Sequence, residues 1–333
     1  MFLFGISDGT GAVDPLILLF LALIVEAYAG QLSVLARIAG HPTSVIADFV
    51  NWFDHKLNRE TRSQGDRAVR GAIAALVLVA ASLIVGWCIA WLSRNFPFAW
   101  VLELILLVML ISQRGISTPV LMVGRALRDE GLEPARQKLS HLVKEAPEKM
   151  DEHGIVRAGI ETLAIAFAER AVAPVFWYVL FGFPGLLAFV TVSQMAAEIG
   201  HKTERHKAFG FTAARLNDIL LLIPAPLSGL FLVLAGLFTP SANPIHAVRT
   251  MLKDAGNYRS LSKGWPLGAM AGALGFALGG PRKFTQAMIS EPWVGSGTAQ
   301  VTHQDIRRAL YLFAVACLIN SAWVGALALI RMI

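Results

Sequence analysis

Charge is scarce in this chain, and cysteine is scarcer still. Charged residues make up 16% of its 333 positions, against about 25% in soluble domains. Hydrophobic residues make up 55% and the mean hydropathy is +0.58. An ordinary soluble enzyme is thereby excluded. The two cysteines, Cys88 and Cys317, both sit inside apolar runs, which excludes a disulfide framework or a thiolate metal site. There is no HExxH, no Walker lysine, no GxSxG and no paired cysteine, so none of the strong catalytic motifs is present. The apolar runs do not alternate as the strands of a membrane barrel do. Before the first run there is no basic stretch, and after it no small-residue cleavage signature; it is expected to be a retained helix rather than a signal peptide. The pI near 9.5 comes from basic loops, which in a membrane protein require no nucleic acid partner.

What the sequence does contain is long apolar runs: 13–30, 71–92, 96–112, 171–190, 219–239 and 310–330, with a shorter Gly-rich candidate at 266–280. Each of the six approaches the roughly 20 residues that cross a bilayer. The expectation is an all-α, polytopic integral membrane protein with about five to seven membrane helices. It is read as one membrane domain over 1–333, carrying a cytoplasmic helical insertion at 113–170. Loops 31–70, 113–170, 191–218 and 240–309 hold 6, 9, 4 and 8 Lys/Arg, which is 27 of the 29, so all four are expected on the cytoplasmic side. Simple alternation of spans cannot put them there. FGFPG (181–185) and IPAP (223–226) interrupt two of the runs, and broken backbone is tolerated at membrane depth where protein or water satisfies it. At least one re-entrant hairpin is therefore expected. In the first basic loop, Val45, Ile46, Phe49, Trp52, Phe53 and Leu57 recur at helical spacing, which predicts an amphipathic surface helix capped by Thr43 or Ser44.

Two GxxxG spacings, Gly268–Gly272 and Gly275–Gly279, favour close helix packing over ligand contact. Glu26 lies in the first apolar run, either as an intramembrane functional group or snorkelling at the helix end. The densest polar island is 199–227. There Lys202, Arg205, Lys207 and Arg215, together with Glu161, Glu198, Glu204 and Asp218, have the chemistry to hold phosphates and a bridging Mg²⁺. The same charges are equally explained by topology. His201 and His206 fall on different helix faces, which argues against a metal site there.

From about Ala135 to Leu310 the chain resembles the CobD/CbiB family, the adenosylcobinamide-phosphate synthases of cobalamin biosynthesis. The resemblance rests on IVRAGIET (155–162), VAPVFW (172–177), FPG (183–185), IGHK (199–202), FGFTAARLNDIL (209–220), IPAPL (223–227), SLSKGWPLGAMAGALGFALGG (260–280) and EPWVGSG (291–297), in family order and spacing. It implies amide formation between adenosylcobyric acid and aminopropanol or its phosphate, with ATP and Mg²⁺ as cofactors and the corrinoid as substrate. It further implies Lys202 and Arg215 on phosphate, Glu161 and Asp218 in Mg²⁺ binding or general-base work, and Gly264 and Trp265 in substrate binding. A bacterial inner-membrane location follows, with lipid, a corrinoid and a small phosphorylated amine as partners; a homo-oligomer or membrane-protein partners stay open.

The chain also departs from the family's pattern. VGRDT is replaced by VKEAP (143–147), ETxAEN by ETLAIAF (161–167) and the Asp-Gly before VAP by Glu169–Arg170–Ala171. NTLDSMIGYK is replaced by SQMAAEIGHK (193–202) and SPNAGWPE by SLSKGWPL (260–267). Two functions stand beside each other: a divergent synthase using relocated groups such as Glu198 or Glu145, and a non-catalytic membrane paralogue acting in binding, assembly or signalling, as proposed for AmpE-like proteins. A transporter is disfavoured because the halves do not repeat.

Overall fold

The computed structural model describes residues 13–30, 40–59, 61–143, 147–201, 203–258, 260–283 and 288–332. In chain order these form α1 (Pro15–Ala29), α2 (Pro42–Leu57), α3 (Gln64–Asn95), α4 (Trp100–Leu110), α5 (Arg114–Asp129), α6 (Leu132–Ser140), α7 (Glu152–Ala166), α8 (Ala173–Ile199), α9 (Phe211–Leu220), α10 (Pro224–Ala235), α11 (Pro244–Asp254), α12 (Leu261–Leu274), β1 (Leu278–Lys283), β2 (Met288–Val294) and α13 (His303–Met332). The protein is an all-α polytopic membrane protein. Among the described residues four helical stretches are long and apolar enough to cross a bilayer: Gln64–Asn95, Trp100–Asp129, Glu152–Ile199 and His303–Met332. The pair α9 and α10, a broken span or a re-entrant loop, makes five, and α1 is apolar but shorter. The chain packs into two compact units interleaved in sequence: Met1–Ser112, Ala173–Leu221 and Val324–Ile333 form the first, Gln113–Val172 and Leu222–Trp323 the second.

In the first unit, α3 is organised by a stripe of small residues. Gly71, Ala75, Ser82, Gly86 and Ala90 are buried, while Ile73, Leu76, Leu83, Ile84 and Trp87 on its other flank are exposed, as lipid-facing residues are. The stripe lets α8 come close: a Cβ on Gly86 would lie 2.7 Å from Pro184 Cα, and at Gly71 the carbonyl of Phe209 leaves no room for one. The break expected at FGFPG is present in α8, where Gly182 takes φ 65° and ψ −157°. Pro184 two residues on lacks an N–H and disfavours a helical residue before it, and glycine accepts the positive φ without steric cost. Glu26 is fully buried, so it does not snorkel to the surface. Glu103 is buried as well and accepts a hydrogen bond from Tyr178 Oη at 2.7 Å.

The surface helix α2 forms as expected, with Val50 buried and Phe49 and Trp52 exposed. Its cap is His41, whose Nδ1 accepts from the Thr43 amide at 3.3 Å. The expected cap at Thr43 or Ser44 falls too late because Pro42 already occupies the first helical turn, where its missing N–H costs nothing.

The second unit is built on α12. Gly268 and Gly272 face α11, where added Cβ atoms would lie 3.0 Å from Met251 Cα and 2.7 Å from Ala247 Cα. Gly229 of α10 seats against Met251 Sδ and the Trp265 carbonyl in the same way. Around them pack Phe167, Leu267, Met270, Phe276, Val294, Ile306 and Phe313, with Phe167 and Phe313 edge to face at 5.5 Å. The second GxxxG spacing is not helical. Gly275 caps α12 in the left-handed region at φ 72°, and Gly279 and Gly280, at φ 79° and 81°, begin a β-hairpin with a bulge between Gly279 and Pro281. The 266–280 run is thus the end of one helix, a turn and the start of a strand rather than a membrane helix.

Gly272→Leu is expected to destabilise the protein by about 1–3 kcal/mol or more through overpacking against α11. This would be read as a lower unfolding temperature in detergent; an unchanged transition would remove the close approach of α11 and α12 from the account of the fold.

Candidate functional site

The polar island between α8 and α9 folds back on the first unit rather than standing off it. Gly210 has no room for a side chain against the Ile199 carbonyl, so the two ends of the loop meet. Phe209 is fully buried among Val50, Ala74, Ala75 and Met195. Over this apolar base a polar network forms. Asp54 of α2 is 5% exposed; its Oδ1 accepts from Asn58 Nδ2 at 2.7 Å and its Oδ2 from an Arg205 Nη2 at 2.7 Å. His206 Nε2 lies 3.5 Å from Asp54 Oδ2, and its Nδ1 is 3.2 Å from Thr203 Oγ1. Asn58 Nδ2 also donates to the Arg205 carbonyl at 3.0 Å. Buried Arg67 of α3 donates to Asn58 Oδ1 at 2.6 Å and to the same Arg205 carbonyl.

Burial pushes the Asp54 carboxyl up, but hydrogen bonds from Asn58 and Arg205 and the charges of Arg205 and His206 together outweigh it. They hold Asp54 below the ordinary carboxylate value. Asp54 and Asn58 of α2 and Arg67 of α3 thus fix the loop, and Arg205 and His206 are occupied in doing so. Asp54, Asn58 and Arg67 were not legible as site residues. Their only sequence signal is the four-residue spacing of Asp54 and Asn58 on one helix face.

Further along, Arg215 and Asp218 remain available. They are one helical turn apart on α9, 3.8 Å from each other, with side chains 66% and 48% exposed. Such a pair holds itself together weakly, so both groups can turn to a ligand; the Arg215 guanidinium also lies 5.4 Å from the Phe211 ring centroid. Glu198, a candidate relocated carboxylate, accepts from Gln194 Nε2 at 3.0 Å. Lys202 and Glu145 lie outside the described residues. Among the described residues no three His, Cys, Asp or Glu side chains converge as a metal cage. Mg²⁺ arriving on phosphates needs only one or two carboxylates, and Asp218 with a neighbouring guanidinium fits that demand.

In the second unit Glu161 is 2% exposed and its Oε1 accepts from the Gly279 amide at 2.7 Å. The carboxylate ties α7 to the glycine turn that opens the hairpin. It sits six residues before the π-helical stretch Phe167–Val172, a distortion frequent near functional sites. A second carboxylate repeats the device: Asp254 Oδ2 accepts from the Gly295 amide at 2.9 Å. Arg157, one turn before Glu161, donates to the Ala299 carbonyl at 2.6 Å and lies 5.6 Å from the Trp293 ring centroid. Gly264 is a packing glycine with the Ala255 carbonyl against it, and Trp265 packs on the core. Where the family pattern has a glutamate after GWP, Leu267 is fully buried in that core.

A multi-pass membrane protein with a carboxylate-held glycine hairpin and a cationic loop is the class these features define. The family profile described as CobD/Cbib protein matches residues 19–313. A Sinorhizobium protein named Cobalamin biosynthesis protein CobD is 36% identical over 321 residues, covering 95% of this chain and 98% of the relative. Proteins of that name from Brucella melitensis and Rhodobacter capsulatus are 34% and 31% identical, covering 90% and 89% of this chain and 92% of each relative. No solved structure matches the chain. The chain belongs to the CobD/Cbib family.

The lowered Asp54 titration has a fixed sign. Its stabilising contribution is fully present above the ordinary value near 3.8 and is lost as pH falls through the lowered folded-state value. Asp54→Asn is expected to cost about 1–3 kcal/mol at neutral pH, the usual penalty for breaking buried hydrogen bonds. Below that ordinary value the variant's unfolding temperature should depend less on pH than the parent's. Parallel pH profiles for the two proteins would show that Asp54 does not carry this acid sensitivity.

Proposed function

We propose that the chain acts in cobalamin biosynthesis, joining adenosylcobyric acid to aminopropanol or its phosphate in an amide-forming reaction that consumes ATP with Mg²⁺. The observation that carries this reading is its end-to-end likeness to relatives named Cobalamin biosynthesis protein CobD, which it covers to 92% or more. The chemistry makes two demands. The negative charge of ATP and of the phosphorylated amine must be neutralised, and the ammonium must lose a proton before its nitrogen can attack. Arg215 suits the first demand, with a guanidinium exposed for bidentate phosphate contact, and Lys202 would add a point charge. Asp218 would carry Mg²⁺ with the phosphates or accept the proton. Mg²⁺ supplies charge neutralisation on the transferring phosphoryl group. Glu161, buried and bonded to Gly279, suits a positioning role for the hairpin better than a base exposed to substrate. The same reading places the protein in the bacterial inner membrane with its basic loops cytoplasmic, supported by the distribution of Lys and Arg.

A second reading has an observation in its favour. Leu267 is buried in an apolar core where the family pattern has a glutamate, and Ala166, also buried, replaces the asparagine of ETxAEN. Such replacements fill space with packing rather than relocate a charge, as in a non-catalytic paralogue that binds ligand or partners.

Purified protein in detergent, supplied with ATP–Mg²⁺, adenosylcobyric acid and aminopropanol phosphate, is expected to yield the amide. Arg215→Ala should weaken ATP binding about 10- to 100-fold, the effect of losing a charge-assisted contact, while the protein stays folded. Corrinoid binding without product would replace the synthase with the non-catalytic reading, and absence of all ligand binding would sink the synthase and leave only a paralogue that binds protein partners.

A further inference from the structure

Away from both groups of residues described above, α5 and α13 of the second unit form a small cleft whose charged lining is cationic. Gly124 of α5 is where they meet: a Cβ there would lie 3.2 Å from Ile306 Cγ2, so the glycine sets the close approach. Around that contact the cleft is lined by Arg125 and Arg128 from α5 and by His303 and Arg307 from α13. Each pair is one helical turn apart and so shares a face. Arg128 is held by Asp129 through two contacts of 2.7 and 2.8 Å, and Arg125 and Arg307 act on the same carboxylate at longer range. Three guanidiniums against one carboxylate leave a net charge of +2 before His303 is counted. Arg125 and Arg307 donate no hydrogen bond to another described residue.

The position of the cleft says what approaches it. It lies at the basic end of two candidate spans, the last turns of Trp100–Asp129 and the first turns of His303–Met332. Apolar Met122, half-exposed, sits one turn back along α5. Basic clefts between membrane helices where spans end are favourable sites for anionic headgroups, and guanidiniums match phosphate oxygens in geometry. We propose that Arg125, Arg128, His303 and Arg307 form a site for a phosphate-bearing anion, filled by the headgroup of an anionic phospholipid. The inference stands apart from the amide-forming reading, since none of these residues has a role in it.

The test is native mass spectrometry of the full chain in detergent with dioleoylphosphatidylglycerol or dioleoylphosphatidylcholine, each with and without millimolar inorganic phosphate. The expected result is preferential retention of phosphatidylglycerol, weakened about thirtyfold in Arg125→Ala/Arg307→Ala, as two interfacial arginines warrant. Arg125→Lys/Arg307→Lys should keep most of the preference, which separates lost charge from lost fold. Displacement of the lipid by inorganic phosphate would assign the same site to a free phosphate compound. Equal retention of the two lipids with no effect of phosphate, or an undiminished preference in the alanine variant, would overturn the proposal.

Discussion

Close approach of main chains at glycine is the constraint on which the rest of this structure depends. Lipid tails are as apolar as leucine, so burying one apolar helix against another in a bilayer gains little from the hydrophobic effect. Association must come from dispersion contacts, which fall away within an ångström or less of separation. Gly86 against Pro184 in the first unit, and Gly268 against Met251, Gly272 against Ala247 and Gly229 against the Trp265 carbonyl in the second, bring backbones so close that an added Cβ would crowd its neighbour. The loops that carry charge are then held on these tightly packed supports by carboxylates. Asp54 fixes the loop after α8, and Glu161 and Asp254 fix the hairpin after α12.

The architecture was legible because its strongest signals are local. Long apolar runs, the proline and glycine interruptions at 181–185 and 223–226, and the period of α2 each depend on residues close in sequence, and each appears in the structure. The second GxxxG spacing misled because spacing alone does not distinguish a helix face from a turn. Gly275, Gly279 and Gly280 all take positive φ, which glycine adopts freely and a helix does not use. The cap of α2 was placed late because His41 is an uncommon capping residue, whereas Pro42 at the first helical position was the better guide.

The candidate site was legible only where its chemistry is also local. Arg215 and Asp218 lie on one turn of α9, and the structure keeps them side by side. Glu161 was singled out, but its partner, the Gly279 amide, is 118 positions away, and no pattern in a single sequence reports such a contact. The same holds for Arg205, which meets Asp54 across 151 positions. Gly264 and Trp265 are packed on the core of the second unit, contacts that the family string by itself does not report. The family's lost polar positions are informative for the same reason: Leu267 fits its core without strain on a polar balance, so the fold survives a change that removes a charge.

The network around Asp54 alters what the polar island offers to its surroundings. Counted along the sequence, Arg205 and His206 add to a strongly basic segment. In the folded chain Arg205 is matched by a buried carboxylate, and His206 leans on the same oxygen. The field this loop projects is therefore shorter in range than its composition implies, since a charge beside its counter-charge acts at a distance as a dipole. Diffusing anions would be drawn less by long-range steering than by contact with the few cations left outward, and their capture would vary only gently with ionic strength.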